Sequence, residues 1–355
     1  MLTRPAIARA SVARLLVAIL QKGIAFITVP LIAAIFGARG DYESYLVASS
    51  IPALVVALVS LGAINIIFIP IFSNYKTNYG ENEAWNFANS VISLYLLAVS
   101  LITVCGILAS PLLIRVSAPG LAPEMHELGA ALTRVLFAST IAAGLSSAFI
   151  GLLNSYNIFV GPAICQLVGT IAGVISIVLL RDVWGVWGLV LANVLVASSP
   201  VLLMLVIYRR IYVGNLRIMW NVRHPGIKKA LSLFVAISVS TVAVQVNNLS
   251  DRFFASFVGP GAIATLDYAH KLVALCSSLF IGTLTVPVFA DLAGHAAKKD
   301  LDGVRRAFSF GVRMLLLFLL PVTIPQLATS VKSGSSVVVY RFRWKFGVGA
   351  DSWYA

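Results

Sequence analysis

The stretch ANSVISLYLLAVSLITVCGILASPLLI, from Ala88 to Ile114, runs from end to end without one charged side chain. A helix needs about 20 apolar residues to cross a hydrocarbon core of about 30 Å, and 10–14 suffice for a buried helix of a soluble core. The stretch is too long for a soluble core and long enough for a bilayer. Arg115 closes one end, and Glu81 and Glu83 precede the other.

Working outward, the same reading applies to 12–36, 44–71, 128–153, 160–180, 185–208, 229–257, 264–290 and 307–328. Each is apolar all round, as a helix in contact with lipid should be. The breaks between them carry turn chemistry, as in Gly37-Ala38-Arg39-Gly40-Asp41, Ala118-Pro119-Gly120, Asn154-Ser155-Tyr156-Asn157 and Gly259-Pro260-Gly261. Composition agrees. The chain is 59% hydrophobic and 11% charged, with a mean hydropathy of +0.95, whereas soluble domains carry roughly 25% charged residues. The expected fold is all-α: a polytopic membrane protein of about nine transmembrane helices.

The net charge of +13 sits between apolar runs rather than on one face. It reads as positive-inside bias and attraction to anionic membrane lipids, not as nucleic-acid binding. Arg4, Arg9 and Arg14 lead into an apolar run longer than the 7–15 residues of a signal peptide, so a first transmembrane helix is expected. The leader, the loop with Arg209, Arg210, Arg217, Arg223, Lys228 and Lys229, and the loop with Lys298, Lys299, Arg305 and Arg306 share one side if the N-terminus is cytoplasmic. The segment 209–228 mixes these cations with Tyr212, Leu216, Ile218, Met219 and Trp220, the composition of an interfacial segment on anionic headgroups. A plain connector is the alternative.

An internal repeat relates the two ends of the apolar series. Phe36 and Phe257, Gly40 and Gly261, and Ala48 and Ala269 share one offset, and Pro70-Ile71-Phe72 recurs as Pro287-Val288-Phe289 with a small slip. Transporters are commonly built from such repeats, with the substrate at the repeat interface. The expected organisation is a six-helix lobe over 1–208, a basic interfacial linker over 209–228 and three helices of a second lobe over 229–328. Residues 329–355 change character. They hold Lys332, Arg341, Arg343 and Lys345 beside Ser333-Gly334-Ser335-Ser336, and read as an atypical, out-of-frame tail on a chain truncated within its second lobe.

Ionisable side chains at membrane depth mark a site facing a wet cavity. The candidates are Lys22 in the first span, Asp251 and Arg252 in the seventh, and Asp267, His270 and Lys271 at the start of the eighth. Asp267 and Lys271 share a helix face and can pair. Arg134 reads equally well as a side chain snorkelling to a headgroup, and the acid–base pairs as structural ion pairs. No catalytic or metal-ligating constellation is present: His126, His224, His270 and His295 are scattered, there is no Walker loop, and Cys105, Cys165 and Cys276 lie singly in apolar runs. No enzymatic activity, cofactor or metal is expected.

These residues resemble the MviN/MurJ lipid II flippase family, of the multidrug/oligosaccharidyl-lipid/polysaccharide exporter superfamily. The likeness is carried by Phe36-Gly37-Ala38 with Val47-Ala48, Pro52, Gly62-Ala63, Phe68-Ile69-Pro70-Ile71-Phe72 with Tyr75, and Ala118-Pro119-Gly120. It continues through Leu153-Asn154-Ser155-Tyr156-Asn157 with Pro162, Asp251-Arg252-Phe253-Phe254-Ala255-Ser256 and Tyr268-Ala269-His270-Lys271-Leu272. The resemblance implies a flippase of the bacterial inner membrane, moving a polyprenyl-diphosphate-linked glycan, lipid II or a similar peptidoglycan precursor, by alternating access. It also implies roles. Lys22 and Lys271 stand where the family has Arg, and Glu43 where it has Asp; with Arg252 as a further cation, Lys22 and Lys271 meet the diphosphate. Glu43, Asp251 and Asp267 pair with these cations or couple to a cation. Thr28-Val29, Val55-Val56-Ala57 and His270 depart from the family's charged pattern. A cation-coupled drug antiporter of the same superfamily and an inactive truncated remnant are the alternatives. The sequence sets no oligomeric state.

Overall fold

A computed structural model describes residues 4–59, 62–156, 160–210, 225–274 and 300–332, with the single positions 158, 217, 219, 221, 288, 292 and 295. Much of the 209–228 linker, Cys276 and the tail beyond Lys332 lie outside the described residues. Those residues hold helices and turns and no strand. The helices are α1 (Arg4–Phe36), α2 (Gly40–Val59), α3 (Gly62–Asn78), α4 (Glu81–Ser117), α5 (Pro123–Ser155), α6 (Val160–Trp184), α7 (Trp187–Arg210), α8 (Pro225–Ser256), α9 (262–274) and α10 (Leu301–Lys332). Leu16–Phe36 and the helices Glu81–Ser117, Pro123–Ser155 and Val160–Trp184 are long and apolar enough to cross a membrane among the described residues. The chain is a multi-pass membrane protein.

The run 44–71 departs from the expectation of one span. It is two helices in series, α2 and α3. At one end the Ser44 hydroxyl of α2 donates to the Met125 carbonyl at the start of α5, at 3.1 Å. At the other, Phe72 of α3 packs on Tyr156 just past the end of α5. The pair therefore runs beside α5 from its first turn to its last. α2 ends at Val59 and α3 begins at Gly62, and Gly is a poor helix-interior residue without being a reliable stop, which is why the apolar pattern alone reads through it.

The helices pack through small and hydroxyl side chains, as lipid-embedded helices do when no water drives them together. Thr103 of α4 and Thr140 of α5 share a buried hydrogen bond of 2.8 Å. Ser146 of α5 donates to the Ala197 carbonyl of α7 at 2.7 Å, and Gly173 of α6 lies against Ala192 of α7. By contrast α1 packs chiefly on α6, and none of its most apolar window is buried.

The turns fall on two ends. The end termed outer collects 37–39, 118–122 and 257–261. The inner end collects 79–80, 156 and the start of α8. An aromatic core closes the inner end, with Phe68, Phe72, Trp85 and Phe87 buried, and with Tyr75, Tyr156 and, from α8, Ala230 and Phe234 against it. The Trp85 indole N–H donates to the Tyr156 hydroxyl at 3.1 Å, which donates to Glu81 at 2.8 Å. Lys76 lies 3.9 Å from the centre of the Tyr156 ring. Burial, and then the Glu81 carboxylate, push the Tyr156 phenol above its ordinary range.

The chain divides into two compact units, Met1–Ala264 and Thr265–Ala355. In the second, Asp300 accepts from the Gly303 amide at 2.9 Å and meets His295 at 2.9 Å, a cap on the first turn of α10. The amide and then the imidazole hold its carboxyl below the usual carboxylate range.

Candidate functional site

Polar groups converge where the outer turns meet. Glu43 sits in the first turn of α2 and is 1% exposed. One of its carboxylate oxygens accepts from the backbone N–H of Ile263 at 2.8 Å and of Ala264 at 3.3 Å. These amides belong to the first turn of α9, where a helix leaves its N–H groups without intrahelical partners. Glu43 thus caps α9 from a distance, with an acceptor at the positive end of the helix dipole.

The sequence separation of that bond has a meaning of its own. Glu43 and Ala264 lie 221 residues apart, the offset that relates Phe36 to Phe257 and Gly40 to Gly261. The repeat expected from the sequence would make these two positions counterparts. The contact is chemically one-sided, because the carboxylate has an alanine as its counterpart.

Neighbouring bonds close the same end. The Arg252 guanidinium of α8 donates to the Leu46 carbonyl of α2. The Gly120 N–H donates to the Ser256 hydroxyl at 3.3 Å. Two glycines permit this approach. A Cβ on Gly120 would lie 2.0 Å from the Ser256 carbonyl oxygen. Gly261 has φ +87°, and a Cβ there would also press on Ala38 at 3.2 Å; both conditions favour glycine.

The expected site residues divide accordingly. Glu43 and Arg252 come together around α2 and the end of α8, and Asp251 precedes Arg252, half-buried, on α8. Arg252 reaches a backbone carbonyl, a partner that no charge pattern reveals. Lys22 is exposed on α1 and makes no hydrogen bond or ion pair with any described residue. It lies about 21 Å of helix from the outer turn at Gly37, at 1.5 Å per residue. In the second unit, Lys271 pairs with Asp267 at 2.6 Å, one turn apart on α9, and His270 is exposed. No group of His, Cys, Asp and Glu suited to a metal ion occurs among the described residues.

Sequence reasoning missed the Ser256 hydroxyl, the Gly120 amide and the α9 amides. The signals were the turn glycines themselves and the repeat offset, which pairs position 43 with position 264.

Comparison with known proteins gives a consistent result. The profile of the family described as "Lipid II flippase MurJ" matches residues 32–340. A probable lipid II flippase MurJ of Buchnera aphidicola subsp. Baizongia pistaciae is 23% identical over 316 residues, covering 86% of this chain and 60% of that protein. The lipid II flippase MurJ of Burkholderia cenocepacia is 26% identical over 296 residues, covering 78% and 57%. The chain thus spans about three fifths of the length of these relatives. Among solved structures, a lipid II flippase MurJ in an inward closed conformation superposes with a TM-score of 0.70 at 20% identity, over 94% of this chain and 68% of that one. An inward-facing multidrug resistance MATE transporter of the MOP superfamily superposes at 0.61 and 15% identity, over 90% and 76%. Both likenesses speak to the fold.

Proposed function

We propose, from the premise that this chain belongs to the lipid II flippase MurJ family, that it serves translocation of a polyprenyl-diphosphate-linked glycan across the bacterial inner membrane. Lipid II or a similar peptidoglycan precursor is the cargo, and the N-terminus is cytoplasmic. The observation that carries the mechanism is the cap that Glu43 places on α9. It holds the outer turns together, and its release lets them part, as alternating access requires. The outer end then faces the periplasm, and the basic segment 209–228 faces the cytoplasm, in keeping with positive-inside bias.

In this reading Lys22 and Lys271 supply cations to the diphosphate. Arg252 joins them only when it leaves the Leu46 carbonyl. Asp251 and Asp267 offer carboxylates to these cations or to a coupling cation, and His270 lies beside them in sequence. The chain carries out transport and no covalent chemistry.

The test is complementation. A bacterial strain depleted of its own lipid II flippase is supplied with this chain, and lipid II reaching the outer leaflet is counted with an externally added hydrolase. The expected result is restored exposure of lipid II, lost on Lys22→Ala while the protein stays in the membrane. An unaltered chain that reaches the membrane and exposes no lipid II overturns the proposal, and unchanged flipping by Lys22→Ala removes Lys22 from it.

A further inference from the structure

A second polar constellation lies on the flank of the first unit, beside the 118–122 turn. The outer halves of α4 and α5 and the turn between them line an open cleft of about 750 Å³ whose lining includes Arg115, His126, Glu127 and Arg134, with Pro111, Pro119 and Pro123; both arginines are exposed. The α4–α5 register explains how two arginines from different helices reach one space. Ile114 lies opposite Gly129 and Thr103 opposite Thr140, so Arg134 starts level with Ala109. Arg115 starts about 9 Å nearer the outer end, at 1.5 Å per residue. The Arg134 Nε donates to the Ser110 hydroxyl at 3.2 Å, which fixes the side chain against α4 and leaves the terminal nitrogens of the guanidinium without a partner among the described residues. His126 is oriented by the Ala118 carbonyl, 2.9 Å from its Nε2.

Neither guanidinium forms an ion pair with a described residue, and Glu127 is the one carboxylate of the lining. Two permanent cations against one anion leave a positive surplus at a place lipid reaches. Below the cleft α4 carries a row of exposed apolar side chains, Leu101, Leu108 and Leu112. Planar guanidinium forks match phosphate oxygens, and the apolar row matches acyl chains.

We infer that the Arg115–Arg134 cleft is a binding site for the phosphate headgroup of an anionic glycerophospholipid in the outer leaflet, with its acyl chains laid along α4. The inference needs the membrane setting and does not depend on which cargo the protein moves. Two arginines snorkelling independently toward bulk headgroups make a different prediction. Their effects on lipid binding add, whereas two forks on one phosphate are coupled.

The experiment titrates phosphatidylglycerol against the purified full chain and counts retained lipids by native mass spectrometry. The unaltered chain is expected to retain one tightly held phosphatidylglycerol. Arg115→Gln and Arg134→Gln are each expected to weaken it about tenfold, with the double variant little worse than either. Arg115→Lys with Arg134→Lys keeps the charge and loses the forks, and is expected to bind about threefold more weakly; it carries the test if the Gln variants fail to fold. Undiminished binding by all variants, or strictly additive losses, overturns the site. Displacement by millimolar inorganic phosphate makes it a free-anion site, and preferential retention of a polyprenyl phosphate makes it a site for the cargo lipid. Either result overturns the assignment to a glycerophospholipid.

Discussion

The two ends of α8 are held to the rest of the first unit by a different balance of forces. At the inner end Ala230 and Phe234 lean on an aromatic core, and Gly226 lies close to Phe87 and gives the Tyr75 hydroxyl one backbone hydrogen bond. At the outer end the contacts are directional: Arg252 to the Leu46 carbonyl, Ser256 to the Gly120 amide, and just beyond α8 the Ile263 and Ala264 amides to Glu43. Apolar contact is non-directional and tolerates small tilts. A buried hydrogen bond is made or lost over a fraction of an ångström, and its unmade partner carries a penalty of about 1–3 kcal/mol. The inner end is thus held mainly by apolar contact, as a bearing would be, and the outer end mainly by directional bonds, as a latch would be.

The comparison is broken most severely at Gly120. Gly120→Ala places a methyl group 2.0 Å from a backbone oxygen that has no rotamer to yield. The turn 118–122 must then leave the end of α8, at about 3 kcal/mol, near the upper end of overpacking costs. Spin labels at Ala38 and Pro260, exposed on the outer turns, should report a longer separation.

Glu43→Ala removes both bonds to α9 and strands two buried amides. An outer-end destabilisation of about 2–4 kcal/mol is expected at about 1–2 kcal/mol per stranded group. Glu43→Gln keeps an acceptor oxygen and should retain most of the closure. Accessibility of a cysteine placed at the fully buried Ala264, in a background lacking the native cysteines, reads the difference.

Arg252→Lys is a smaller perturbation. The ammonium keeps the charge but loses the planar fork that reaches Leu46. A cost of about 1 kcal/mol is expected, seen as a modest rise in labelling at position 264.

The weakest effect sharpens the contrast from the other end. Tyr156→Phe removes the hydroxyl that links Trp85 to Glu81 and leaves the ring in the core. About 1 kcal/mol of stability should be lost, the typical net worth of one hydrogen bond. Thermal melting should record it while the distance between outer-turn labels stays unchanged. A change in that distance would mean the two ends are not separable.

Much of this was legible in the sequence, for identifiable reasons. Long uncharged runs such as Ala88–Ile114 read as spans because a bilayer demands length and charge-free composition together. The turns at Gly37, Ala118 and Gly259 read as turns because Gly and Pro leave a chemical signature. The offset joining Phe36 to Phe257 is also the separation of Glu43 and Ala264, but their contact was not read from it, because one partner is a backbone amide. The division of 44–71 into α2 and α3 was hidden, because Gly62 in an apolar run weakens a helix without ending it. The partners of Arg252 and Ser256 were hidden because they are backbone groups, which every residue carries. The pairing of Arg115 with Arg134 needed the α4–α5 register. Lys22 was read as a charge near the middle of a span; it is exposed on α1, and the described residues give it no partner.

The most direct test of the latch is the distance distribution between spin labels at Ala38 and Pro260, in the unaltered chain and in Glu43→Ala. The account predicts one short, narrow distribution in the unaltered chain and a second, longer population in Glu43→Ala. Identical distributions in the two proteins would contradict it, because the outer turns would then be held together by something other than the Glu43 cap.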